Sequence, residues 1–154
     1  MKLGIVSAAL PQLSLDELAN WSAANGFQML ELMCWPMSKA ERRYAGVTHV
    51  DVVDFTRDKA AEVNATVTPY GLEISGLGYY PNPLSADLTQ REFFLAHLRN
   101  VTVAASMLGV CVVNTFIGRD KDKTMEANLD EFAKVWPPII QFAAEHDIRI
   151  AIEL

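Results

Sequence analysis

The sequence predicts an α/β fold built on a parallel sheet, and three observations carry that reading. Short apolar, β-branched runs alternate with longer amphipathic runs along the whole chain. The last three strand-like runs begin near residues 72, 110 and 148, at even spacing. Glycines at 26, 71 and 109 stand just ahead of the second, third and fourth strand-like runs. Strands that alternate with helices connect by right-handed crossovers and lie parallel. Two architectures satisfy this pattern, a doubly wound open sheet and part of a (β/α)8 barrel.

The elements follow in order. KLGIVSA is the first strand; the apolar run is short and Pro11 ends it, so it is read as a strand rather than a leader. SLDELANWSAANG is a helix in which Ser14 caps, Glu17 completes a capping box and Gly26 closes the end. QMLELMCW is the second strand, followed by a loop with Pro36, Arg42, Arg43 and His49. DFTRDKAAEVNATVTPYG reads as a helix weakened at its end by Thr66, Val67 and Thr68. LEISGLGYY is the third strand and PNPLSAD a turn-rich loop. The long helix LTQREFFLAHLRNVTVAASMLG takes Thr89 as its expected cap and Gly109 as its stop. VCVVNTFIG is the fourth strand, and RDKDKT, with charges of alternating sign, is read as a solvated loop rather than a phosphate clamp, with Arg119 alone left able to reach a phosphate. MEANLDEFAKVWPPIIQFAAEHD is helical, with Pro137 and Pro138 expected to kink it or start a second helix. IRIAIEL is the fifth strand, with Glu153 near its tip.

Composition narrows the function classes. Of 154 residues, 51% are hydrophobic and 21% charged, which predicts a packed core, and the chain is read as one domain over residues 1–154. A net charge of −6 without a basic run argues against a nucleic-acid partner. No segment nears the ~20 apolar residues that cross a bilayer, so no membrane partner is expected. Cys34 and Cys111 lack a CxxC spacing and are read as small buried hydrophobes in a cytoplasmic, reducing setting.

Neither GxGxxG nor GxxxxGK[ST] follows the first strand, which weakens the nucleotide-binding open sheet. The strand tips carry polar and aromatic residues instead: Ser7, Glu31, Trp35, Tyr79, Tyr80, Asn114 and Glu153. In barrels, chemistry gathers at those carboxyl ends. Trp35, Tyr79 and Tyr80 are candidates to stack on a ligand ring or wall a cavity, with core or rim packing as the alternative. Asn82 and Asn114 are candidates to hydrogen-bond ligand hydroxyls; Asn82, between two prolines, reads equally as a turn residue. Glu31 is placed in a barrel interior or in a salt bridge to a neighbouring strand. His97, inside a helix, is read as a surface or boundary residue, and His146 as a cation suited to a helix C-terminus.

At AGVTHVD, LGYYPNPL, VVNTFIGRD, VWPPII and IRIAIE the sequence resembles the sugar phosphate isomerase/epimerase family of xylose isomerase-like TIM barrels. The resemblance implies a (β/α)8 barrel, present here as its first four βα units plus the fifth strand. It implies metal-dependent aldose-ketose isomerisation or epimerisation of a sugar or sugar phosphate, by proton transfer beside a carbonyl. Family members hold a divalent ion (manganese, zinc, cobalt or magnesium) with ligands from strands five to eight. Glu153 in IAIE matches the first ligand and is the implied metal-binding and catalytic residue; nothing in this chain matches the other three. Leu154 stands where the family usually has asparagine. His49, in THVD, is an implied substrate contact. The chain alone is therefore expected to be inactive and to bind no metal tightly. The alternative reading is a non-catalytic half barrel that self-associates, or pairs with a missing half, through open sheet edges.

Overall fold

A computed structural model describes residues 1–37 and 45–153. Arg42, Arg43 and Leu154 lie outside the described residues. Five strands form one parallel sheet in the order β1-β2-β3-β4-β5: β1 Gly4–Val6, β2 Met29–Met33, β3 Glu73–Gly78, β4 Val112–Phe116 and β5 Arg149–Glu153. The connections carry α1 Leu15–Ala24, α2 Arg57–Val67, α3 Leu88–Leu108 and α4 Met125–Glu145. Sequential order with helical crossovers is what a barrel wall requires, and it excludes the doubly wound alternative, whose strand order reverses.

One face of the sheet packs on the helices. Leu30, Leu32, Leu77 and Val113 are fully buried there, together with Leu18, Leu98, Val101 and Trp136 from the helices. The other face carries the alternate residues, exposed or half-buried apart from the buried Met33. In β2, β4 and β5 the opposite-facing side chains thus sort by strand parity.

Local signals explain most boundaries. Ser14 and Glu17 form the expected capping box on α1. Gly109 ends α3 at φ +74°, a conformation that favours glycine. The second helical run is shorter than its sequence segment: Thr56 caps α2, and Thr68–Tyr70 tighten into a 3₁₀ turn. Two expectations are corrected. Asp87, not Thr89, caps α3, accepting from the Gln90 amide; Thr89 is already helical. Pro137 and Pro138 sit inside one uninterrupted α4. Proline there deprives the carbonyls four residues earlier, Ala133 and Lys134, and all four residues are exposed, so water can take those bonds.

Two further corrections concern burial. Cys34 is buried but Cys111 is exposed, at the open start of β4. His97 is buried rather than at the surface; its Nε2 contacts the Cys34 carbonyl at 2.7 Å and its ring packs on Tyr79. His146 caps the C-terminus of α4 as expected from its position, with Nδ1 2.8 Å from the Phe142 carbonyl.

Candidate active site

The carboxyl ends of the strands frame a cavity of about 590 Å³ on the face away from the helices, lined in part by Val6, Glu31, Met33, Trp35, Tyr80, Phe116 and Glu153. Strand parity places them. Glu31 and Met33 alternate with the buried Leu30 and Leu32, and Phe116 and Glu153 are the last residues of β4 and β5.

Strand β3 departs from simple alternation. Leu30 pairs with Ile74 but Glu31 pairs with Gly76, so Ser75 is an extra residue in a β-bulge, its Oγ donating to the Leu30 carbonyl at 3.1 Å. The bulge inverts the parity of everything after it. Leu77 and Tyr79 turn to the helices, while Gly76, Gly78 and Tyr80 face the cavity side. The two glycines leave room for neighbours to lie across β3. A Cβ on Gly76 would meet Asn114 Nδ2 at 2.9 Å, and one on Gly78 would meet Glu31 Oε1 at 2.5 Å.

Three side chains therefore converge. The Tyr80 hydroxyl donates to Glu31 Oε1 at 2.6 Å and lies 3.3 Å from Glu153 Oε1. Tyr80 also packs on Phe116, with ring centroids 4.9 Å apart. Burial pushes the Glu31 carboxyl above its ordinary range, and the Glu153 charge adds to this; Tyr80 and the Asn114 side chain act the other way. Burial, with the two carboxylates, pushes the Tyr80 hydroxyl far up, so it remains a donor at neutral pH. The arrangement is two carboxyl groups joined by one hydroxyl, with Trp35, Met33 and Phe116 as apolar wall. Such a group can accept a proton, hold it and return it.

The residues singled out in the sequence divide into two sets. Glu153 and Trp35 line the cavity, and Asn114 stands beside Glu31. Tyr79 does not line it: it is fully buried, packed edge-on between Trp35 at 5.0 Å and His97 at 4.6 Å. The Ser75 bulge is the cause. His49 also lies off the cavity lining, half-buried, with Nε2 3.1 Å from the Leu13 carbonyl, which ties its loop to the segment after β1. Asn82 belongs to a neighbouring cavity, where its amide holds the backbone of Arg119. Glu31 and Tyr80 are the residues whose part only the fold brings out.

Among the described residues, no group of three or more His, Cys, Asp or Glu can hold a metal ion. Glu31 and Glu153 offer two carboxylates, whereas hard divalent ions take about six or more oxygen ligands. The described donors therefore do not complete a divalent site.

An α/β chain of sequential parallel strands joined by helices has, as a class, the architecture of part of a TIM barrel. Residues 19–154 match the family described as xylose isomerase-like TIM barrel, and the chain belongs to that family. Solved structures agree on the fold. A D-psicose 3-epimerase from Clostridium cellulolyticum H10, crystallised with D-tagatose, matches with a TM-score of 0.72 at 17% identity, over 100% of this chain and 52% of its own. The probable 3-DHS dehydratase AsbF from Bacillus anthracis gives 0.66 at 17% identity, over 99% and 52%. An IOLI protein with a bound zinc atom gives 0.67 at 18% identity, over 99% and 51%. The chain spans about half the length of each of these structures. Curated protein sequences give no match. No helix among the described residues is long and apolar enough to cross a membrane.

Proposed function

We propose that this chain contributes part of the active site of a sugar or sugar phosphate isomerase or epimerase, acting in the cytoplasm. The observation that supports this best is the convergence of Glu31, Tyr80 and Glu153 on one cavity at the carboxyl end of the sheet. In this reading the Glu153 carboxylate takes the proton from the carbon beside a ketose carbonyl. A base must stand within roughly 3 Å of that proton, and Glu153 reaches the cavity from the end of β5. Tyr80 orients the two carboxyl groups, and Glu31, held toward its protonated form by burial, supplies the returning proton. Trp35 and Phe116 give the sugar ring or chain an apolar floor. A divalent ion, as the zinc of the IOLI protein suggests, would need donors beyond the described residues, with Glu153 the candidate from this chain.

The chain by itself is accordingly proposed to bind ketoses weakly and to turn none over. A panel of ketoses titrated against intrinsic fluorescence tests the binding, with Trp35→Phe removing the responding side chain. A ketose response lost in that variant supports the reading; no response, together with no turnover in the presence of manganese, sinks it. Turnover abolished by Glu153→Gln would uphold the chemistry and refute the inactivity.

A second reading has its own observation. Among the described residues nothing pairs with the outer edges of β1 and β5, and Val6 on the cavity face is 38% exposed. Open edges favour self-association. A strictly monomeric chain in light scattering at high concentration rules that out.

A further inference from the structure

A second cavity of about 600 Å³ adjoins the first, sharing Phe116 and Glu153 with it. Its outer part is formed by the loop between β4 and α4, with Asn82, Leu84, Arg119, Lys121 and Lys123 among its lining. Three cations at one cavity are unusual in a chain of net charge −6. Lys123 is taken up by the buried Asp120, 3.8 Å away. Arg119 and Lys121 form no ion pair among the described residues.

The loop that carries them is exposed except at Asp120, as a solvated loop should be, and is also fixed at several points. Asn82 grips Arg119 through both amide atoms: Nδ2 donates to the Arg119 carbonyl at 2.8 Å, and Oδ1 accepts from the Arg119 N–H at 2.9 Å. Gly118 lies at φ +78°, and a Cβ there would meet Asn82 Oδ1 at 2.6 Å, so this close approach needs glycine. Asn128 holds Asp120 in the same two-handed way, at 2.7 and 2.9 Å. The Trp136 indole donates to the Ile117 carbonyl at 3.1 Å. Two amides and an indole pin the backbone from which Arg119 and Lys121 extend along one wall of the cavity, so that only their side chains need ordering when an anion arrives.

We propose that this second cavity is an anion subsite that takes the phosphate tail of an open-chain sugar whose carbonyl end lies at Glu153, with Arg119 and Lys121 as its cations. The inference rests on the sugar reading of the first cavity and narrows it to phosphorylated substrates. The position after the fourth strand differs from the loops after strands seven and eight, where barrels most often bind phosphate. Arg119 suits a phosphate because its planar fork can bind two oxygens at once. Asn82 acts as a positioning residue through the Arg119 backbone.

The test compares D-fructose 6-phosphate, D-fructose and inorganic phosphate by calorimetric titration of the 154-residue chain. Both cations are exposed, so the variant Arg119→Gln/Lys121→Gln is expected to keep its melting temperature. The expected result is that the phosphate ester binds about tenfold or more tightly than D-fructose, and that the double variant loses this advantage while D-fructose is unaffected. Lys134→Gln, on the exposed side of α4, should change neither affinity. Asn82→Ala should weaken the ester alone, and added salt should weaken it further. Equal affinity for ester and free sugar, or an ester advantage that survives the double variant, overturns the subsite and leaves the sugar reading standing. Phosphate binding that depends on Arg119 and Lys121 without any ketose binding upholds the subsite and removes the sugar reading. Binding of none of the three removes both.

Discussion

Replacing Gly78 by alanine tests how the acidic cluster is built. The added Cβ would stand 2.5 Å from Glu31 Oε1, 2.9 Å from Met33 Sδ and 3.1 Å from Tyr80 Cε2. All three neighbours are side chains of the cavity face, so the strain falls on the site and not on the helix-packed core. Overpacking of this kind costs about 1–3 kcal/mol, and alanine recovers about 0.4–1 kcal/mol by restricting the unfolded chain. Glu31 Oε1 and Met33 Sδ stand near the ends of flexible side chains that can swing aside, so the net is a loss of at most about 2 kcal/mol, or up to roughly 6 °C in melting temperature for a chain of this size. Thermal and urea unfolding followed by circular dichroism measure it. The assignment to Glu31 is checked with a double-mutant cycle. In an Glu31→Ala background the nearest obstacle is gone, and the two changes should couple by about 0.5 kcal/mol or more. Effects that simply add in the cycle would refute the placement of Glu31 across β3.

Three more outcomes follow from the same geometry. Burial raises the Glu31 carboxyl in the folded chain above 4.5, so its contribution to stability is fully present below that pH and is lost as pH rises through the folded value. Glu31→Gln removes this loss; in urea titrations from pH 4 to 8 its stability relative to the parent should climb with pH, and a flat difference would contradict the burial argument. Trp136→Phe leaves the Ile117 carbonyl without its indole donor and opens space in the core, for a loss of about 2–3 kcal/mol in urea unfolding. Elemental analysis of the chain dialysed against manganese should find well under one ion per chain, since two carboxylates do not hold a hard cation; a stoichiometric ion would show a further donor in the chain.

Much of this fold was legible because local signals and the global pattern agree. The capping box at Ser14, the left-handed glycine at 109 and the period-2 runs all point to the same strand-helix repeat. The motifs of IRIAIE and LGYYPNPL pointed to the family that residues 19–154 match. What escaped was set by contacts distant in sequence. Alternation counted from Leu72 and Ile74 puts Tyr79 on the cavity face, and only the bulge against Leu30 turns it inward and brings Tyr80 out. His49, the substrate contact that the resemblance implies, is instead turned to the segment after β1, which folds back to meet its ring. Asn82 reads as a turn residue until its partner, 37 positions away, is known. Glu31 showed its parity in sequence but not its partner, because Tyr80 comes from the next strand. That Pro137 and Pro138 start no second helix is not legible in the sequence, which alone does not say which side of α4 faces water.

The central claim is that Glu31, Tyr80 and Glu153 meet a ketose at the carboxyl end of the sheet. The direct measurement is a ketose titration of the chain carrying carbon-13 in its glutamate carboxyl groups, followed by nuclear magnetic resonance. The account predicts that the Glu31 and Glu153 signals move together with ketose concentration, that Glu17, Glu62 and Glu145, away from the cavity, stay still, and that Tyr80→Phe diminishes the response. Ketose-dependent shifts confined to carboxyl groups elsewhere on the chain, or none at any ketose concentration, would contradict it.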